Sequence, residues 1–391
     1  MSKRTNHHAA QTTRRHAGLR FAPLAGVASV LFFSCMATPP SEVLAFDGGR
    51  VRAANAVEAE RVENLLADLR PRLLQMLPDS TFEDLEVWVQ ERPSLYRYAT
   101  EATSDAEGLW SPSHRRIMLS RHADHVERTL AHELTHAVLG DSWSMLPGSL
   151  EEGLADHVSA ELVADGATRL RAGRLSSACL ATGGLEIDVD VTRVAPADLD
   201  DAGFSANRRG WSARVKLKGE TDSTNPLDVF RLSAGLSSTK LDTGAKRGYY
   251  GLAFLVVSRI AARDNGYSGL QELCLEADAE GLDHVPVRRI LNAAGLGDSP
   301  EEWRRAAAQA MGPDEIVELV RMYPDFLVDA LTTYLESLRP SGPISGWLDQ
   351  IDVQVSLVEG GASIPLETLP FVEQAVLAKL EDRRTTIVAG H

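Results

Sequence analysis

The sequence predicts an α+β fold, and three observations carry that expectation. Leu85-Glu86-Val87-Trp88-Val89 and Arg116-Ile117-Met118-Leu119-Ser120 alternate with the two-residue period of half-buried strands. Val57, Val62, Leu65, Leu66, Leu69 and Leu73 recur at helical spacing. Helical patterns return from about 249 to 338, with breaks near Gly266, Gly295 and Gly312, so strands and helices occupy separate stretches of chain.

Taken in order, residues 1–35 read as a leader. Residues 1–20 are polar and basic, and an apolar run follows from Phe21 to Phe33. This is the pattern of a secretory signal. The run is shorter than the roughly 20 apolar residues of a transmembrane helix, and Pro23 interrupts it. Phe32-Phe33-Ser34-Cys35 resembles a bacterial lipobox at Ser34 and departs from it at Phe32 and Phe33. That resemblance implies a lipidated Cys35 and a membrane anchor. Ordinary cleavage after Ala37 or Ala45 is the other route to an exported chain, periplasmic or extracellular. Residues 36–55, with Pro39-Pro40-Ser41, then read as a tether.

Residues 56–180 carry the first helix, expected over 57–77 and ending near Pro78, then the two strands, then helices over about 126–139 and 149–165. From 181 to 247 Gly, Asp, Ser and Thr dominate, with alternating pieces such as Leu185 to Val191, and this stretch reads as a β- or loop-rich insertion. Residues 248–338 form a helical C-terminal part. Pro340-Ser341-Gly342-Pro343 marks a boundary before a final segment, 339–391. At roughly 150 residues per domain, 391 residues make two to three domains or one large one.

Composition narrows the function. Hydrophobic residues are 44% and charged residues 24%, which excludes a multi-span membrane protein and a mostly disordered chain. The net charge of −15 becomes −20 without residues 1–34, which hold five cations and no acid. Such a body is repelled by phosphate backbones, so nucleic acid is excluded as a partner. With Cys35 lipidated, Cys179 and Cys274 remain as an even pair. In an oxidising compartment they either form a disulfide or stay as two buried thiols.

Chemistry concentrates in one stretch. Six of the eight histidines outside the leader lie between 114 and 157. His132-Glu133-Leu134-Thr135-His136 fits H-E-x-x-H. At ~100° per residue, Val126, Leu130, Leu134, Ala137 and Val138 share one apolar arc. His132 and His136 share the opposite side, with Glu133 beside them. Two imidazoles one turn apart can chelate a metal ion, and the intervening carboxylate can take a proton from a water held there.

A catalytic zinc site needs a third protein ligand. Glu152 and Asp156 lie one turn apart on the next helix, opposite the Leu150, Leu154, Val158 and Leu162 stripe. Glu152 is a candidate ligand, and Asp156 can fix the tautomer of a ligand histidine. Ser149-x-x-Glu152 is also a capping box, which would leave the ligand role to Glu151.

His132-Glu133-Leu134-Thr135-His136 followed by Leu146-Pro147-Gly148-Ser149-Leu150-Glu151-Glu152-Gly153-Leu154-Ala155 resembles the gluzincin metallopeptidases, most of all the peptidase MA-like family. The resemblance spans about 110–165 and departs at Ser149, where an aromatic residue is usual. It implies a zincin-like catalytic domain with a mixed sheet, begun by 56–180 and completed by 248–338. It implies one Zn²⁺ per chain on His132, His136 and Glu152, with Asp156 orienting the first histidine. It also implies Glu133 as general base and a peptide or protein substrate, extended along an edge strand to which 115–120 corresponds. A weaker match over Arg247 to Val256 implies an oxyanion-stabilising tyrosine, Tyr250, with Tyr249 as the alternative. The expected activity is zinc-dependent hydrolysis of peptide bonds outside the cytoplasm. The alternatives are a non-catalytic binding or assembly lipoprotein on the same scaffold, and a structural zinc site closed by His125 or His157.

Overall fold

The computed structural model describes residues 40–91, 107–193, 210–219, 225–231, 243–264, 266–338, 348, 351–358 and 360–389. The leader and Cys35 lie outside the described residues. The fold is mixed, with a five-stranded sheet toward the N-terminus and a four-stranded sheet shared by the middle and the end of the chain.

The first sheet opens with β1 (Glu42–Phe46) and β2 (Gly49–Ala53), an antiparallel pair turning at Gly48, whose φ is +92°. These residues fall in the stretch expected to be a tether. The reason for the correction is alternation: Val51 and Ala53 point inward and are fully buried. After β2 comes α1 (Ala56–Met76). The Asn55 side chain caps it by accepting from the Glu58 N–H at 2.9 Å, and the Glu58 carboxylate accepts from the Ala54 N–H. Its Ala59, Val62, Leu66, Leu69 and Leu73 stripe is buried, whereas Val57 is exposed. Then follow β3 (Leu85–Gln90), β4 (Gly108–Ser111) and β5 (Arg116–Ser120). The strand order is β1-β2-β3-β5-β4, with β2, β3 and β5 parallel and both outer strands antiparallel. The sheet is therefore mixed, and among the described residues β4 is an edge.

Two helices come next, α2 (Val126–Val138) and α3 (Gly148–Leu162). Leu130, Leu134 and Val138 of α2 are buried as its spacing predicts. α2 ends through Leu139 in an extended conformation, one residue before Gly140. α4 (Ala167–Ala181) leads into β6 (Leu185–Arg193), and β7 (Trp211–Leu217) pairs with it antiparallel. β6 also pairs with β8 (Ile351–Leu357), which pairs with β9 (Gly360–Pro365). The stretch read as an insertion thus shares a sheet with the C-terminal segment.

Next comes α5 (Thr243–Asp264), packed against both α3 and α4. Leu252, Ala253, Phe254, Leu255, Val256 and Val257 are all buried, so this helix is apolar on every side, as a central helix must be. The remaining helices are α6 (Ser268–Ala279), α7 (Val287–Ala294), α8 (Pro300–Gln309), α9 (Pro313–Met322), α10 (Asp325–Leu338) and α11 (Pro370–Ala389). Among the described residues, no helix is long and apolar enough to cross a membrane.

Cys179 on α4 and Cys274 on α6 do not form the disulfide their number allowed; both are free and buried. The Cys179 thiol faces the Arg304 carbonyl of α8, 3.6 Å away. Burial pushes both thiols up to about 12, which makes them inert packing groups.

Candidate metal centre

α2 lies between the sheet and α3. Its apolar stripe takes the sheet side, which leaves His132 and His136 facing α3. α3 starts after Pro147 with no side-chain cap. The Ser149 hydroxyl is buried without a partner, so the capping box read from Ser149 and Glu152 does not form. Glu152 turns instead toward α2. Its Oε2 lies 3.6 Å from His132 Nε2 and 3.7 Å from His136 Nε2. The imidazoles stand edge to face, with centroids 5.1 Å apart. One ligand atom from each of these three residues falls within 4.8 Å of the others, so the group can hold a metal ion.

The other nitrogen of each ring is already occupied. His132 Nδ1 lies 3.1 Å from Asp156 Oδ1, and His136 Nδ1 lies 2.8 Å from Glu151 Oε1. This fixes both rings with Nε2 toward Glu152. Asp156 is held in turn by Arg174 of α4, whose Nε donates at 2.6 Å. The Arg174 guanidinium sits 4.8 Å from the centre of the Tyr250 ring.

Electrostatics follow from this packing. Burial disfavours the charged form of His132, but its bonds to Asp156 and Glu152 outweigh that and lift it to about 9. His136 is raised in the same way by Glu151 and Glu152. Burial pushes Glu152 up, yet the two imidazoles more than reverse this and hold it well below the usual carboxylate range. Glu133 is raised by burial, against the pull of the two histidines. It lies under the edge strand: a Cβ added at Gly108 would stand 2.6 Å from Glu133 Oε1, and the Trp110 backbone N–H faces the carboxylate.

Several sequence-based expectations shift. Residues 115–120 are not an edge, because β5 is paired on both sides; β4 is the edge beside the site. β4 spans only four residues, too few for alternation to be read. His125 pairs with Asp165 and His157 with the Tyr267 hydroxyl, so neither joins the ligand group. Tyr250 packs its ring on Arg174, whereas the Tyr249 hydroxyl is buried without a hydrogen-bond partner. Burial, reinforced by the charges of Glu152 and Glu151, pushes that hydroxyl far up. Two residues escaped sequence reasoning. The sequence marks Glu151 only as an alternative ligand, not as the partner of His136 Nδ1. Arg174 reaches Asp156 from a helix with no motif of its own.

One glycine makes the arrangement possible. A Cβ at Gly153 would stand 2.5 Å from the Ala253 carbonyl, so α3 and α5 meet backbone to backbone beside Glu152. Tyr249 lies one turn before Ala253 and so shares the face of α5 turned toward α3. Comparison with known protein families, with curated protein sequences and with solved structures finds no match for this chain.

Proposed function

We propose that this chain is a zinc-dependent peptidase with a zincin-like catalytic domain, acting outside the cytoplasm. The observation that carries this reading is the convergence of His132 Nε2, His136 Nε2 and Glu152 Oε2, with Glu133 buried beside them. The donor set suits zinc. A tetrahedral ion with bonds of about 2.0–2.1 Å sets its donors roughly 3.3 Å apart. The carboxylate stands 3.6 and 3.7 Å from the two imidazole nitrogens, a small contraction away, and all three donors lie within 4.8 Å of one another. Two imidazoles and a carboxylate, each imidazole backed by a second carboxylate, form a three-ligand set that leaves one position open.

When bound, zinc supplies Lewis acidity, lowering the pKa of a water and polarising a carbonyl. The chain's own residues do the rest. The Glu133 carboxylate takes the proton from the attacking water and delivers it to the leaving amine nitrogen. The Tyr249 hydroxyl, with no hydrogen-bond partner among the described residues, donates to the carbonyl oxygen as charge gathers there. The free side of β4 offers backbone groups to an extended peptide. The basic-then-apolar leader supports export, with Cys35 as the anchoring residue.

The test is zinc content and turnover together. The chain lacking residues 1–35 should bind about one zinc, and Glu152→Ala should lose it. Glu133→Gln should keep the metal and lose hydrolysis of a peptide library. A folded, metal-supplemented parent without zinc would overturn the reading, as would undiminished turnover in Glu133→Gln.

A further inference from the structure

Arg128 of α2 is the one half-buried cation beside this centre that makes no hydrogen bond or ion pair among the described residues, and its Nε is buried without an acceptor. The carboxylates around it are Asp156, Glu107 and Asp165, with Arg174 as the opposing cation. Each of those carboxylates is already engaged. Asp156 holds His132 and Arg174, Asp165 holds His125, and Glu107 accepts from the Thr129 hydroxyl at 3.0 Å. Burial presses on the charged form of Arg128, and Asp156, Glu107 and Asp165 offset this only in part, through space, while each is bonded to another group. A guanidinium so placed is a ready partner for a carboxylate from outside.

Position limits what that carboxylate can be. Arg128 stands four residues before His132, so it lies on nearly the same side of α2 and about 6 Å along its axis. An extended peptide advances about 3.3 Å per residue. We propose that Arg128 is a specificity residue that pairs with a substrate carboxylate one or two residues from the scissile bond. The substrates are then peptides carrying either an acidic side chain or a free C-terminus at that place. This rests on the peptidase reading and narrows its substrate class.

The experiment uses the full, zinc-loaded chain. N-acetylated pentapeptide amides are scanned with Glu or Gln at each position, and the Gln peptides are also made with a free C-terminal carboxylate. Binding is measured on Glu133→Gln and cleavage on the parent. At one position the carboxylate should improve binding at least about ten-fold. Arg128→Met should erase that ratio with zinc per chain unchanged, and Arg128→Lys should keep part of it. Preference for Glu identifies a side chain; preference for the free terminus identifies a chain end. Peptides bound and cut without a carboxylate preference, or a preference surviving in Arg128→Met, would overturn the role of Arg128 and leave the peptidase reading intact. A zinc-loaded protein that binds and cuts no peptide would overturn both.

Discussion

Tyr249 and Tyr250 are neighbours in sequence and opposites in circumstance. Their rings meet edge to face, 5.3 Å apart, but only Tyr250 leans on a cation, Arg174. The Tyr249 hydroxyl is buried with no hydrogen-bond partner among the described residues. A buried hydroxyl left unmet costs free energy, which a developing oxyanion would relieve. Tyr249→Phe should therefore lower kcat about 10²-fold with zinc content unchanged. Tyr250→Phe should leave kcat within a few-fold. Steady-state kinetics on one library peptide checks both, and equal losses would remove the distinction. This difference was not legible in the sequence, where both residues sit at the start of one helix. It depends on how α5 is rotated against α3 and α4.

The crossing of α3 and α5 belongs to the element scale. With no Cβ at Gly153, the helices touch through backbone, and Glu152 rides on that contact. Gly153→Ala should cost about 1–3 kcal/mol through overpacking. It should also move Glu152 off the two imidazoles, so zinc affinity falls along with Tm. A titration with a competing chelator reads the first effect and a melting curve the second. Undisturbed metal affinity would show that the crossing does not set the ligand. α1 and α2 were readable because burial on one side leaves a period behind, whereas β3 and β5 are buried on both faces and were readable as short apolar runs. β1, β2 and β4 were not, since four or five residues near prolines and glycines carry too little alternation. The three candidate ligands were readable because they lie on two consecutive helices with a motif. Glu151 and Arg174 serve through tertiary placement, which spacing does not encode.

At the scale of the whole molecule, the first sheet is tied across its strands by one carboxylate. Glu86 of β3 accepts from Arg50 and Arg52 of β2 and from Arg116 of β5, which also covers the Trp88 ring. Burial alone would raise Glu86, but the surrounding guanidiniums overcome it and hold the carboxyl at about 2. The unfolded chain takes up that proton near 4.5, so the stabilisation is whole above that pH and is lost as pH falls through 2. Thermal melts between pH 5 and 2 should show this loss, and Glu86→Gln should flatten it. An unchanged slope in the variant would place acid sensitivity elsewhere. The second sheet has a different character. β6 lies between β7 and β8, and β8 is made about 160 residues after it. At roughly 5–20 residues per second, a growing chain carries one side of β6 uncovered for about 8–30 s. The three residues that could hold a metal ion, spanning only His132 to Glu152, emerge together well before that. During synthesis, then, the chain can bring its His132, His136 and Glu152 group together before it acquires the strands that finish the fold.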